Sequence, residues 1–595
     1  MSLFSLKDIR NHPRRSAFDL SSKVAFSAKS GELLPIKWYF TMPGDKFTLK
    51  RQHFTRTQPV NTSAYTRIRE YYDWFWVPLH LLWRNAPEVI SQMQSNVQHA
   101  GSGTSALTLG NYLPTVTLAQ LSDVLSRLSG KNNYFGFSRA DLSYKLMQYL
   151  RVGNANNSTS HNFGTSIPFN TADYTQKYRF NLHVSVFPFL AYKKFCQDYF
   201  RYSQWQNSSP YLWNIDYYAG TSMPLFSTLP AAGDKYWTDN TLFDLEYCNW
   251  NKDLFMGVLP DTQFGDVASI DTGGLKSQDL SVQAKISSSQ NSPVYLGAKV
   301  SSSGTDFSVN AGPSAVQSNP LIVDLPAVAA SFDVLSLRRG EALQRWKEIS
   351  LNVPQNYRAQ IKAHFGVDVG ENMSGMSTYI GGDSSSLDIS EVVNTNLQSG
   401  NSSSEAVIAG KGVGSSQGSE KFEARDWGIL MCVYHNVPLL DYVISAPDPQ
   451  LFVYQNTDLP IPELDSIGMQ SVPISMYSNS DIELTTGFNS SDLTMGYLPR
   501  YYNWKTSYDY VLGSFTTTEK EWVAPITSAI WKNMLSTIAT GSSSISYNIF
   551  KVNPSVLDSI FQLNANSKWD TDPFLINCAF DVKVVRNLDY SGMPY

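Results

Sequence analysis

The sequence predicts a mainly β protein with one core and long insertions, and three stretches of the chain support that prediction. Residues 33–57 have the pattern of two strands around a turn at Pro43-Gly44-Asp45. Residues 427–445 are almost wholly apolar, which is typical of a strand buried on both faces. Residues 575–585 alternate between apolar and polar side chains, the period of a strand with one buried face. Because these stretches are far apart in the chain, long excursions must separate the strands of the sheet.

Helices are predicted in the first long excursion, about residues 85–175. Leucines between 118 and 128 have helical spacing, and Gly130 follows as a stop signal. Ser138 and Asp141 form a capping-box pattern ahead of a second set of helically spaced leucines. This insertion is therefore expected to be partly helical.

Residues 340–365 predict two more short helices, with Leu343 and Trp346 of the first facing inward. Two neighbouring stretches lose the core pattern and are rich in Ser and Gly: residues 262–320 and residues 381–420. We expect the first to be a surface insertion with short β pieces, or alternatively a flexible linker. We expect the second to be a loop.

The composition is low in charge and high in aromatics, with 16% charged residues and 13% Phe, Trp and Tyr. A typical soluble domain has about 25% charged residues. The cores of protein interfaces are enriched in aromatics and depleted in charge. The composition therefore indicates a surface buried against partners, although a large secreted β protein that binds carbohydrate shares the same bias.

Charge is distributed unevenly along the chain. Residues 1–60 carry eleven Lys or Arg and four acids, a net charge of +7, which leaves −12 for the rest of a chain whose total is −5. Residues 1–30 are interpreted as a basic internal arm in which Arg10, Arg14 and Arg15 neutralise the phosphates of a polyanion. The alternative is a solvated, flexible terminus.

No motif for catalysis, metal binding or cofactor binding is found. The eight histidines and four cysteines lack metal-ligand spacing, and no Walker A, GxSxG or GxGxxG pattern occurs. Acidic pairs such as Asp244 and Glu246 do not by themselves indicate a glycosidase, because the separation that matters is spatial. The start of the chain lacks the apolar segment of a signal peptide, and no apolar run is long enough to cross a membrane. We expect no enzyme activity, no cofactor, no metal and no membrane insertion.

Clusters of aromatic residues stand out instead. Trp74 and Trp76 lie in the block YYDWFWVP, and Trp504 lies in RYYNWK. We interpret these tryptophans as anchors of the core or of a subunit interface. Stacking on unpaired bases is the alternative, because Arg and Lys are interleaved with the aromatics.

Taken in order, the unusual segments resemble the major capsid proteins of microviruses, small single-stranded DNA bacteriophages, and the gokushovirus-like lineages in particular. The segments are LLPI at 33–36, MPGDKF at 42–47, DWFWVP at 73–78, LWRN at 82–85, PFLAYKKFCQDYF at 188–200, LFMGVLP at 254–260, AHFGV at 363–367, YIGG at 379–382, GYLPRY at 496–501 and CAFDV at 578–582. This collinear set extends over nearly the whole chain.

The resemblance implies an eight-stranded antiparallel jelly roll with long inserted loops, forming residues 31–595. It implies a major capsid protein of a T=1 icosahedral virion that encloses circular single-stranded DNA and assembles in the host cytoplasm. Residues 262–320 match the position of the family's variable insertion, which forms protrusions at three-fold axes. The implied partners are further copies of the chain, the genome, minor virion proteins such as a DNA pilot protein, a scaffolding protein and a host receptor.

Two other functions are weighed against a capsid protein. A secreted β-sandwich glycosidase or carbohydrate-binding protein would be expected to carry a signal peptide, and none is recognisable. A phage receptor-binding protein would be expected to show fibrous repeats, and no repeat is found.

Overall fold

The computed structural model describes residues 15–60, 64–91, 113–152, 182–218, 240–268, 298–300, 307–309, 334–393, 408–443, 448–451, 453–474, 494–524, 547–561 and 572–590. The chain divides into two units: residues 1–262 with 350–595, and residues 263–349. In chain order the strands are β1 Ser16–Asp19, β2 Ser22–Ala28, β3 Leu34–Thr41, β4 Lys46–Thr57, β5 Ile68–Pro78, β6 Thr115–Thr117, β7 His183–Ser185, β8 Ala298–Val300, β9 Phe307–Val309, β10 Thr378–Val393, β11 Ile408–Glu423, β12 Gly428–Pro438, β13 Tyr442–Val443, β14 Met469–Pro473, β15 Thr494–Pro499, β16 Tyr510–Val511 and β17 Phe574–Arg586.

The described α-helices are shorter and lie between the strands. They are α1 Leu79–Leu82, α2 Ala86–Ser91, α3 Leu118–Leu128, α4 Arg139–Tyr149, α5 Phe187–Phe195, α6 Ile215–Tyr218, α7 Val334–Asn352, α8 Tyr357–Phe365 and α9 Tyr502–Lys505. A π-helical turn, Cys196–Phe200, continues α5. Most of the strand residues belong to antiparallel sheets, so the prediction of a mainly β protein is confirmed.

Nine of the described strands hydrogen-bond in the order β1, β17, β4, β11, β10, β5, β12 and β3, with β2 also paired to β17. β10 and β11 pair with each other only over the end of β10 and the start of β11, where the chain connects them. Over the rest of their lengths, β10 pairs with β5 and β11 pairs with β4. The hairpin therefore divides the strands into two halves. Side chains of the two halves meet, as when the ring of Trp74 on β5 contacts that of Phe580 on β17 at 6.0 Å. The core lies between the halves.

Three strand predictions are confirmed. β3 and β4 flank the turn at Gly44, which has φ 89° and needs the left-handed conformation that glycine tolerates. β12 is buried along its entire length, because it lies between β3 and β5 and is covered on both faces. β17 alternates buried and exposed residues from Phe574 to Val584, as its period of two predicts.

The prediction of a loop at 381–420 is wrong for the residues that the structure describes. Residues 381–393 and 408–420 lie in β10 and β11. A stretch rich in Ser and Gly has a low intrinsic preference for strand structure. Here the glycines of β11 make room for side chains of the opposite half, since a Cβ on Gly414 would lie 2.8 Å from a carboxylate oxygen of Glu70. Tertiary packing therefore overrides local propensity.

The predicted arm at 1–30 is also partly wrong. Ser16–Asp19 and Ser22–Ala28 pair with β17, so the chain has joined the sheet by Ser16. The edge of β17 is free to accept these segments because β4 occupies only its other edge. Residues 1–14 of the predicted arm lie outside the described residues.

Helices of the first insertion cover one half from outside. α3 begins at a capping box formed by Thr117 and Gln120, and α4 begins where Ser138 accepts a hydrogen bond from the Asp141 amide. α5 lies against β5, where the rings of Phe75 and Phe195 stack at 4.9 Å. Because both faces of β5 are covered, its aromatic block is buried on both sides.

The second unit, residues 263–349, contains the antiparallel pair β8–β9 and most of α7. The predicted surface insertion at 262–320 lies mostly outside the described residues, which include only 262–268 and these two strands. The prediction that Leu343 and Trp346 face inward is wrong for this single chain, because they are 45% and 51% exposed. Apolar residues occur all around α7 rather than along one stripe, so helical spacing alone could not identify a buried face.

Candidate interface and nucleic-acid contact residues

The three tryptophans proposed as anchors lie in two different environments. Trp74 and Trp76 are each 3% exposed and point from β5 into the core. The Trp76 indole N–H donates to the Thr41 hydroxyl at 2.9 Å, so the polar atom of this buried ring is satisfied. Trp504, on α9, is 50% exposed. The first two are therefore core residues in this chain, and Trp504 lies at its surface.

Only one of the three arginines proposed to contact DNA lies within the described residues. The Arg15 side chain is exposed at the start of β1, and its Nε donates to the Asn587 side chain at 2.7 Å. Arg10 and Arg14 lie outside the described residues. The structure therefore brings Arg15 next to the end of β17.

The interior between the two halves holds a charged cluster that the sequence reasoning missed. Arg51 on β4 is 2% exposed, binds the Asp383 carboxylate on β10, and lies 3.6 Å from the centre of the Tyr72 ring. On the next inward position of β4, His53 lies 3.3 Å from the Glu70 carboxylate on β5. The alternation of side chains along β4 could have predicted this cluster. Arg51 and His53 occupy the same inward-facing side of the strand as Phe47 and Leu49.

His53 lies between a cation and an anion. The Arg51 guanidinium, which can only donate, lies 2.5 Å from His53 Nδ1, and His53 Nε2 lies 3.3 Å from both the Ser385 hydroxyl and the Glu70 carboxylate. The other Glu70 oxygen accepts from the Tyr434 hydroxyl at 2.8 Å. This cluster is almost completely enclosed, so substrates cannot reach it, and we assign it a structural role in joining the two halves.

Asp73 and His435 form a second buried titratable pair, at the outer side of β5 and β12. Burial raises the pKa of Asp73 to about 6, although the Tyr379 hydroxyl donates to its carboxylate at 3.0 Å. Burial lowers the pKa of His435 to about 3, so this imidazole is neutral at pH 7. His435 Nδ1 lies 3.7 Å from the Asp73 carboxylate and has no hydrogen-bond partner within the described part of the chain. The pair is therefore not an ion pair at neutral pH.

Buried lysines connect the insertions to the sheets. Lys145 on α4 binds the carboxylates of Glu32 and Asp572 at 2.6 and 2.9 Å, and all three side chains are almost completely buried. Burial alone would lower the pKa of Lys145, but the two carboxylates raise it above its usual value. Its partners are 113 and 427 residues away in the chain, so no local motif could identify the cluster.

A cavity of about 700 Å³ contains Asp244 and Glu246, the acidic pair considered in the sequence. Arg139 donates two hydrogen bonds to Asp244, and Lys193 binds Glu246. Burial alone would raise the pKa of Glu246, but Lys193 and Lys551 hold it below its usual value. Both carboxylates are thus bound by cations, and Glu246 is held ionised, whereas a glycosidase needs one carboxyl group that can donate a proton.

The described residues bring together no group of three or more His, Cys, Asp or Glu side chains that could bind a metal ion. The four cysteines are buried and unpaired. Within the same ranges, every helix is too short or too polar to span a bilayer.

Comparisons with known proteins agree with this structural picture. A family model described as "Capsid protein (F protein)" matches residues 9–124 and 158–417. The capsid protein VP1 of Chlamydia phage 1 is 24% identical over an alignment of 433 residues. That alignment covers 64% of this chain and 64% of the relative, so it spans somewhat less than two thirds of VP1.

Proposed function

The chain belongs to the capsid protein (F protein) family, and from this premise we propose that it is the major capsid protein of a microvirus. The resemblance inferred from the sequence motifs is confirmed at the level of the family, which is one of structural proteins and not of enzymes. The proposal extends this to self-assembly: copies of the chain form a T=1 icosahedral shell around a circular single-stranded DNA genome. The observation that carries it is the family match over more than half of the chain.

We further propose that the core is an eight-stranded jelly roll. One half has the order β2, β17, β4 and β11, and the other has the order β3, β12, β5 and β10. Along the chain, β2, β4, β11 and β17 of the first half are interleaved with β3, β5, β10 and β12 of the second, so the chain repeatedly crosses between the halves. Such crossing supports the double-sheet arrangement of a jelly roll, which capsid proteins use as a tile.

Assembly is tested by expressing the protein alone and measuring its mass by size-exclusion light scattering, with negative-stain microscopy of the same sample. We expect closed particles of one size, or rings that act as their precursors. If the protein stays monomeric, assembly is repeated with the proposed scaffolding protein. A monomer that persists with the scaffold and binds or hydrolyses glycans would contradict the proposal.

We propose that Arg10, Arg14 and Arg15 neutralise genome phosphates, because they lie in residues 1–60, whose net charge is +7 in a chain with a total of −5. The test measures binding of oligo(dT) as a function of salt for a variant with all three arginines changed to Gln. Each phosphate contact on single-stranded DNA contributes about 0.7 to the slope of log Kobs against log[salt], so three lost contacts lower the slope by about 2.

The matched control removes three exposed lysines elsewhere, at 362, 421 and 520, by the same change to Gln. It should leave the slope near the wild-type value. If both variants lower the slope of log Kobs against log[salt] by the same amount, the loss reflects the overall charge of the protein. That result would contradict a specific role of the three arginines.

The remaining partners follow from the same proposal. The polar stretch 262–320 would form the protrusions at three-fold axes and contact a host receptor, since its Ser-rich composition suits an exposed surface. Assembly would take place in the host cytoplasm with a scaffolding protein, and the finished virion would also contain a DNA pilot protein.

A further inference from the structure

An acidic loop, residues 448–467, follows β13 and exposes apolar side chains. This segment contains Asp448, Asp458, Glu463 and Asp465 and no Lys or Arg, a net charge of −4. Its described part consists of short 3-10 turns separated by extended chain. Leu459 and Ile467 are 50% and 63% exposed. Exposed apolar residues among charges of one sign are typical of a protein–protein contact.

A basic helix segment, residues 334–347 of α7, has the complementary character. It carries Arg338, Arg339, Arg345 and Lys347 against one acid, a net charge of +3. The three arginines are exposed, and Leu337 and Leu343 are 53% and 45% exposed. A helix with so little burial gains little stability from its own chain, because most helical stability comes from tertiary packing.

We propose that the acidic loop of one copy docks on the basic helix segment of a neighbouring copy in the shell. This inference rests on the proposed self-assembly and names the surfaces that carry one of its contacts. Charge complementarity selects the partner, because each copy carries both the acidic loop and the basic helix segment, and both are exposed in the single chain. Since no identical patches meet, the contact is heterologous and repeats from copy to copy until the symmetry of the shell closes it.

The chemistry of the two surfaces predicts how the contact behaves. Apolar side chains from both sides become buried, while the carboxylates and guanidinium groups set the register. Solvent-exposed charges are screened within about 8 Å at physiological ionic strength. Assembly through this contact should therefore slow as salt is raised, before the folded subunit itself is affected.

The test is a charge-reversal swap in the full chain. One variant carries Arg338→Glu and Arg339→Glu, a second carries Glu463→Lys and Asp448→Lys, and a third carries all four changes. Asp465 is left unchanged because its carboxylate pairs with Lys505 of the same chain. We expect each double variant to lower the yield of assembled particles at least about 10-fold at low salt, which corresponds to about 1.4 kcal/mol. The fourfold variant should recover most of the wild-type yield, because the two reversed surfaces attract each other again.

Each variant is first checked for a folded subunit by circular dichroism and thermal unfolding. A matched control, Glu519→Lys with Glu521→Lys, reverses two acids outside the acidic loop and should assemble like the wild type. Failure of the wild type to assemble even with a scaffold would overturn the proposed function. Assembly of the wild type and of both double variants at equal yield would overturn this inference alone.

A disulfide experiment determines whether the contact joins different copies. Leu343→Cys is placed on one tagged chain and Leu459→Cys on another, and the two are assembled together and oxidised. The native cysteines are buried, so they do not compete. A disulfide between the two tags supports the proposal, and its absence in assembled particles contradicts it. A disulfide that forms only when both cysteines are in one chain also contradicts it.

Discussion

The buried carboxyl group of Asp73 should make the protein less stable at neutral pH, and Asp73→Asn should remove that penalty. Asn has the same shape, so its carbonyl oxygen still accepts from the Tyr379 hydroxyl. Its amide N–H can also donate to His435 Nδ1, an atom without a hydrogen-bond partner in the described part of the chain. The variant therefore imitates the protonated acid.

The magnitude follows from the pKa of about 6, which burial raises from 3.8. One unit of pKa is about 1.4 kcal/mol, so ionised Asp73 costs about 3 kcal/mol of folding free energy at pH 7.5. A raised acid pKa means that the folded state binds the proton more tightly than the unfolded state. The wild type therefore gains stability from this group as pH falls from about 6 to about 4, and the advantage of Asp73→Asn disappears over the same interval.

Urea unfolding of the unassembled subunit, followed by tryptophan fluorescence between pH 4 and pH 8, measures the difference. The control is Asp581→Asn, a half-exposed strand aspartate that should change stability by less than about 0.5 kcal/mol. A variant no more stable than the wild type at pH 7.5, or one with an advantage independent of pH, would refute the reasoning. That result would mean that Arg51 already compensates the charge.

Three further substitutions test the core and its surface. Lys145→Met leaves two buried carboxylates without their cation, so we expect the free energy of unfolding in urea to fall by about 3–5 kcal/mol at pH 7. The loss should be smaller at pH 4, where carboxylates protonate, and an equal loss at both pH values would contradict this. Gly412→Ala places a Cβ 2.6 Å from a threonine side chain and should cost about 1–3 kcal/mol, whereas exposed Ser415→Ala should cost less than about 0.5 kcal/mol. Trp74→Ala should cost about 3–5 kcal/mol of subunit stability, while half-exposed Trp504→Ala should leave thermal unfolding nearly unchanged and lower particle yield if it anchors an interface; equal losses for the two tryptophans would contradict their assignment.

The parts of the fold that could be predicted are those with a local signal. β17 alternates with a period of two, β12 is a continuous apolar run, and α4 begins at a side-chain cap. Each of these patterns is complete within a dozen or so residues. The family resemblance added the expectation of a jelly roll, which no single segment contains.

The missed features depend on residues that meet only in the folded chain. The Ser- and Gly-rich composition of β11 predicts a loop, yet its glycines make room for Glu70 and Asp383 of the opposite half. The Arg51–Asp383 ion pair joins residues 332 apart in sequence. Leu343 was misassigned for another reason, since apolar residues occur all around α7 and its helical spacing identifies no single buried face.

The position of β4 has a consequence for synthesis on the ribosome. Its two neighbours are β11 and β17, and the last of them begins at Phe574. At about 5–20 residues per second, the ribosome reaches that strand roughly 25 to 100 seconds after completing β4. Both edges of β4 are open to pairing with other nascent chains until β11 is made, and the edge that β17 later fills stays open throughout the delay. The strand KFTLKRQHFTRT carries four basic residues and no acid, so two such strands repel each other. The charges of Lys46 and Arg51, which later pair with Glu423 and Asp383 in the folded chain, thus discourage premature association during synthesis.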